Sequence, residues 1–196
     1  CADVKQKDES AYPDPDNGES AGFVLTYGRF RTIDLGDLTW NAELDLMCPI
    51  NRIGTVDLYL TSHHGLEKSG SPALVHALRP RVVVMNNGTR KGGAPGVFRV
   101  LQESSGIEDL WQLHWSYNAG LENTPARFIA NVDEPATIAE VLTTPTTGVP
   151  AAPRAGGPGA PAHTPAYLIR VSVQQDGSFT VTNTRNNFSK TYRPRS

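Results

Sequence analysis

Apolar positions fall into two rhythms along this chain, and their alternation predicts the elements. Residues 22–27 and 30–35 are short runs rich in β-branched and aromatic side chains. Joined tightly at Gly28-Arg29, they read as a hairpin. Trp40, Leu44 and Met47 then fall at helical spacing, with Thr39 placed to cap that helix and Pro49 to end it. Residues 56–60 are a short apolar run typical of a buried strand, and residues 82–85 read as another strand. Between them Ser71 and Pro72 open a helix whose inner stripe is Leu74, Val75 and Leu78, and Pro80 stops it. Strand, helix and strand in that order predict a βαβ unit with parallel strands and a right-handed crossover. A further helix starts near Pro95, with Val97, Val100 and Leu101 on one face and Gly106 after its end. Residues 110–115 and 127–132 read as strands.

The rhythm then stops. Residues 143–166 are almost entirely Thr, Pro, Ala and Gly, a composition that cannot bury a core and predicts a linker. Beyond it Tyr167, Ile169, Val171 and Val173 alternate with polar residues, and Asp176-Gly177 turns the chain toward Phe179 and Val181. Residues 167–196 therefore read as a β-hairpin, expected to return to the main sheet because a lone hairpin is marginal in water. Residues 1–20, polar and mostly acidic, read as a surface loop or frayed end. The body is 21–142.

Composition narrows the function classes. With 38% hydrophobic and 19% charged residues, 196 residues suffice for one globular domain with a real core. No apolar run reaches the length of a membrane span. A formal net charge of -2 argues against a nucleic-acid grip made of general basic surface. Two cysteines, Cys1 and Cys48, do not make a disulfide framework and leave the redox compartment open. A chain opening on Cys1 fits either a mature, secreted or periplasmic bacterial lipoprotein or a fragment of a longer protein, and the second reading is preferred.

Candidate chemistry sits where strand-like runs end. Gly36-Asp37 closes the run at 30–35, and His63-His64-Gly65 follows the run at 56–60. Carboxylate oxygens and imidazole nitrogens are ligands for zinc, manganese and iron. A lone Gly-Asp is more often a turn or an N-cap. Two adjacent histidines followed by glycine are harder to assign to surface decoration. Asp37 and His63 are the candidate catalytic residues, and Asp37, His64 and His63 the candidate metal ligands. Asn87, in the Asn86-Asn87-Gly88 turn, together with Ser69 and Ser71, are candidate substrate contacts. No Walker-type loop, G-x-S-x-G elbow or C-x-x-C pair is present.

These residues also carry a resemblance. The pattern formed by Asn17, Ser20, Tyr27-Gly28, Arg31, Gly36-Asp37, Glu43, Val56-Asp57, His63-His64-Gly65, Ser69, Ser71-Pro72 and Arg79-Pro80-Arg81 resembles metallo-β-lactamase-fold hydrolases. Within them it looks most like the ComEC-type branch, the hydrolase domain of DNA-uptake competence proteins and its stand-alone bacterial relatives. The match covers about the first half of the chain. The resemblance implies an α/β fold, namely the C-terminal half of an αββα sandwich, with a mixed sheet, flanking helices and a C-terminal hairpin. It implies one or two zinc ions, or manganese, and metal-activated hydrolysis of a phosphodiester, lactone or similar ester. Asp37 takes the place of the bridging carboxylate and the His63-His64 pair that of the late histidine ligand, with His64 favoured as ligand and His63 facing substrate. The family's H-x-H-x-D-H motif is absent from this sequence, and Gly93-Ala94-Pro95 stands where the branch tends to carry Gly-His-Pro. The expectation is a fragment weak or inactive alone, able to self-associate through the surface its missing half would cover. The competing expectation is a non-catalytic binding domain that keeps the fold.

Overall fold

The structure, a computed structural model, describes residues 1, 3–10, 13–119, 122–132 and 167–195. The linker predicted at 143–166 and the end of the predicted body lie outside the described residues.

The protein is α/β. Strands β1 (Phe23–Tyr27), β2 (Phe30–Asp34), β3 (Leu58–Leu60), β4 (Val82–Met85), β5 (Asp109–His114) and β6 (Ile129–Asn131) form one mixed sheet in that order. Only β1 is antiparallel to its neighbour; the other pairs run parallel, with Leu58 opposite Val82 and Val84 opposite Trp111. Each parallel strand lies beside its predecessor, so successive right-handed crossovers place their helices on one face. These helices are α2 (Trp40–Met47), α3 (Pro72–Leu78) and α4 (Pro95–Glu103), preceded by a short α1 (Pro15–Gly18). Ser71 caps α3 as expected, its side chain accepting from the Leu74 N–H, with Pro72 in the first turn.

Apart from β1, the sheet is covered on both faces, and its residues divide by parity. Ile33, Tyr59, Val83 and Met85 pack with Met47, Leu74, Leu78, Val97 and Phe98 on the helical side. Phe30, Leu58, Val82, Val84 and Trp111 point the other way. There they meet a second sheet of three antiparallel strands, β7 (Ile169–Val173), β8 (Phe179–Asn183) and β9 (Phe188–Tyr192). The terminal segment does return to the domain, but by lying across the main sheet and not by pairing with it. It also has a third strand that the hairpin reading lacks. The reason is visible in the contacts. Phe179, Val181 and Tyr192 are buried and cover the apolar face that the parallel strands leave open.

Two long-range ties were not read from the sequence. Within the segment read as a surface loop or frayed end, the backbone at 5–7 is bonded to the start of α2. The Trp40 Nε1–H donates to the Lys5 carbonyl at 3.0 Å, and Lys7 and Asn41 exchange two bonds at 2.8 and 2.9 Å. The cysteines, left unassigned by the sequence, form a disulfide, Cys1–Cys48, with 5.7 Å between Cα atoms. It ties positions 47 apart in sequence, so loop entropy alone assigns it about 4 kcal/mol. Reduction under native conditions is expected to lower the melting temperature markedly. An unchanged melting curve for Cys48→Ser would mean that the bonds to α2 hold this segment without the disulfide.

Strand β1 is the open edge of the main sheet. Phe23, Val24, Leu25 and Tyr27 are all exposed, an unusual apolar load for an edge strand. Among the described residues no helix is long and apolar enough to cross a membrane.

Candidate functional site

The C-terminal ends of the parallel strands form one rim, the usual place for ligands in sheets of this kind. Asp37 follows β2, the two histidines follow β3, and Asn86 and Asn87 follow β4. The Asp37 carboxylate lies between both imidazoles. Its Oδ1 is 3.5 Å from His64 Nε2 and its Oδ2 is 3.9 Å from His63 Nε2. The sequence-predicted trio is thus brought together.

The backbone that carries the histidines is strained. His63, His64 and Gly65 have φ of 50°, 59° and 76°, three consecutive residues in the left-handed region. For the two histidines this costs roughly 1–3 kcal/mol each and persists only where surroundings enforce it. Here the turn is held on two sides. The His63 N–H donates to the Gly36 carbonyl at 2.8 Å. From the β4–α4 loop, the Gly93 and Ala94 N–H groups donate to the His64 and Gly65 carbonyls at 3.1 and 2.9 Å. That approach requires Gly92, where a Cβ would sit 1.8 Å from the His64 carbonyl oxygen.

Each ring is also oriented through its far nitrogen. His64 Nδ1 is 3.0 Å from the Asn86 carbonyl, which can only accept, so Nδ1 carries a proton and Nε2 is the ring atom turned toward Asp37. His63 Nδ1 is 3.4 Å from Ser69 Oγ, which itself donates to the Leu38 carbonyl at 2.6 Å. Burial holds the His63 pKa below the usual histidine value despite the opposing pull of Asp37 and Asp14, keeping the ring neutral at pH 7. Half-buried His64 is the more open ring; His63 is buried.

The three candidate substrate contacts have internal partners instead. Ser69, Ser71 and Asn87 are each 1% exposed or less. Ser71 caps α3, and Asn87 donates to the His114 carbonyl at 2.8 Å, joining the ends of β4 and β5. Their place is behind the rim, holding the residues that form it.

A residue with no role assigned from the sequence is central. Glu43 of α2 is fully buried and accepts from the Gly70 and Ser71 N–H groups at 2.9 and 2.7 Å. The Ser62 and Ser71 hydroxyls also act on it. Ser62, immediately before His63, bonds Tyr59 Oη through both its N–H and its hydroxyl at 3.0 Å. Desolvation lifts the Glu43 pKa to about 7, the hydrogen bonds pulling the other way. A signal was present. Trp40, Glu43, Leu44 and Met47 have the i, i+3, i+4, i+7 spacing of a buried stripe, with a carboxylate in an apolar position.

Beside the trio is a cavity of about 540 Å³ lined by Thr39, Leu66, Lys68 and Asn118 from the rim loops and by Lys7 and Asp14 from the segment preceding β1. Thr39 and Leu66 lie two positions beyond Asp37 and His64, so the cavity flanks the site while the trio itself forms none of its wall.

Among the described residues, no group of three or more His, Cys, Asp or Glu side chains is arranged to hold one metal ion. The geometry explains this: the two imidazoles face different carboxylate oxygens, giving a pair of donors on each side of Asp37. No protein-family model matches the chain, and neither the curated proteins nor the solved structures return a match.

Proposed function

We propose that the rim is the C-terminal portion of a metal-dependent hydrolase site, with Asp37 as a shared carboxylate and His64 and His63 as nitrogen donors on either side. The observation that carries this reading is the Asp37 carboxylate between two Nε2 atoms. Donors about 2.0–2.1 Å from a tetrahedral zinc are about 3.4 Å apart, close to the 3.5 Å between Asp37 and His64 and somewhat inside the 3.9 Å to His63. The orientation of His64 by a backbone carbonyl is the arrangement expected behind a metal-ligating histidine. The donor set therefore fits zinc or manganese in kind, but supplies only two donors to each side of the carboxylate.

A bound ion would supply an activated water and a Lewis acid for cleaving a phosphodiester, lactone or similar ester. This chain's part is narrower. Asp37 and the imidazoles fix position and charge, and the adjoining cavity holds the remainder of the substrate. The resemblance to the ComEC-type branch supports this assignment. The remaining ligands would then come from an H-x-H-x-D-H segment outside this sequence, and exposed β1 is the edge such a missing half would cover.

Zinc titration of the purified chain, followed by histidine side-chain NMR, tests the reading. Weak binding that shifts both His63 and His64 is expected. Asp37→Asn and His64→Ala should each remove it by tenfold or more, with negligible turnover of bis-nitrophenyl phosphate throughout. Zinc that leaves both rings undisturbed, or binds Asp37→Asn equally well, sinks the proposal. A longer parent that carries the motif, folds and shows no hydrolysis would move the assignment to a binding domain.

A further inference from the structure

The end of the sheet opposite the histidines is built from arginines. Arg29 sits at the β1–β2 turn and Arg31 at the start of β2, Arg79 and Arg81 lie between α3 and β4, and Arg195 follows β9. They line two adjoining hollows, of about 550 and 120 Å³, that share Thr55 and Arg195. Far apart in sequence, the five guanidiniums converge because β2 and β4 start at this end and β9 delivers the last of them.

The charge is not balanced. Among the described residues, Asp57 and Glu108 are the only carboxylates lining the hollows, against five arginines, in a chain whose net charge is -2. Both carboxylates are already engaged. Asp57 is buried, accepts from the Arg31 N–H at 2.9 Å and pairs with Arg195 Nε at 3.4 Å. Glu108 pairs with Arg81 Nε at 2.7 Å. Backbone carbonyls orient the remaining donors without neutralising them: Arg31 bonds the Thr55 and Ile53 carbonyls, Arg195 those of Val56 and Arg79, and Arg29 that of Arg195. Among the described residues Arg79 has no side-chain hydrogen bond or ion pair, and it is exposed. Burial first, then Arg81 and Arg79, push the Arg195 pKa below its usual value against the pull of Asp57. Like charges held together this way are relieved by an anion.

We propose that this arginine rim binds a phosphate-bearing oligoanion. Guanidinium forks match phosphate oxygens two at a time, and forks pre-oriented by carbonyls lose little entropy on binding. Two linked hollows suit more than one phosphate group. Among the described residues no aromatic side chain lines either hollow to offer a nucleobase a stacking platform, so recognition rests on the phosphates. The site stands apart from the histidine rim and does not depend on the hydrolase reading.

The test is calorimetric titration of the whole chain with sodium tripolyphosphate at low ionic strength. Saturable binding is expected, weakening steeply with added salt. The double variant Arg29→Ala, Arg79→Ala should bind at least tenfold more weakly. Both side chains are at the surface, and an unchanged melting temperature without ligand verifies the fold. Arg99→Ala, on exposed α4 surface, should bind like the parent. A thymidine dodecamer, offering the same phosphates strung along a strand, separates the two sources. Competition between it and tripolyphosphate supports the shared chemistry. Absence of tripolyphosphate binding, or equal binding by the double variant, overturns the proposal. So does binding of the dodecamer alone, which would assign the rim to a strand backbone.

Discussion

Glu43→Ala is expected to destabilise the protein by about 4 kcal/mol and to release the histidine turn. The substitution leaves the Gly70 and Ser71 N–H groups buried without acceptors, at about 1–3 kcal/mol each, and opens a cavity beneath the rim. Glu43→Gln separates the hydrogen bonds from the charge. The amide keeps one acceptor but turns an NH2 toward the second N–H, costing about 1–3 kcal/mol, and it does not titrate.

The pH dependence follows from the raised pKa. The folded-state value is about 7, against an ordinary 4.5, so the unfolded state releases its proton first as pH rises. Glu43's contribution is therefore complete below pH 4.5, declines through the window to 7 and is flat above it. The decline is roughly 3 kcal/mol at about 1.4 kcal/mol per pH unit. Denaturant melts of the parent and Glu43→Gln should show the parent ahead at pH 5, with the gap closing or reversing by pH 8. A gap independent of pH would mean that Glu43 ionises normally and does not bury its charge.

Trp111→Ala is the second large effect. The indole of β5 is completely buried, packs edge-on to Phe128 and stacked on Phe188 at centroid distances of 5.0 and 5.6 Å, and donates to Tyr192 Oη at 3.1 Å. It joins the two sheets. Truncation should cost about 3–5 kcal/mol, and in a domain of this size lower the melting temperature by roughly 10 °C. Hydrogen exchange would locate the damage, with β7–β9 losing protection before the parallel strands. If protection falls uniformly, the small sheet is not a separately docked layer but part of one cooperative unit.

The elements were legible in the sequence wherever the physics is local. Ser71-Pro72 marks the start of α3 because a hydroxyl cap and a proline both satisfy orphan positions of a helix's first turn. The apolar run at 56–60 predicted a buried strand, and β3 is covered on both faces, as is β4 beside it. Asp37 and His63-His64 could be placed on one rim, since β2 and β3 run parallel and side by side. What covers the second face was not readable. Alternation at Ile169, Val171 and Val173 shows that one side of β7 is apolar, but not whether it joins the sheet's edge or lies on its face.

Long-range chemistry belonged to the tertiary structure alone. Cys1 and Cys48 pair because the segment before β1 folds back on α2, a contact with no local signature. Ser69, Ser71 and Asn87 read as substrate contacts, yet each is buried with backbone partners. Net charge argued only against a general basic surface and says nothing of a local cluster, because composition averages over the whole molecule while a field depends on where charges meet. Arg29, Arg31, Arg79, Arg81 and Arg195 meet only because strand direction gathers their loops at one end of the sheet. Sequence periodicity records which face a residue turns inward; only the folded chain determines which distant residues share a rim.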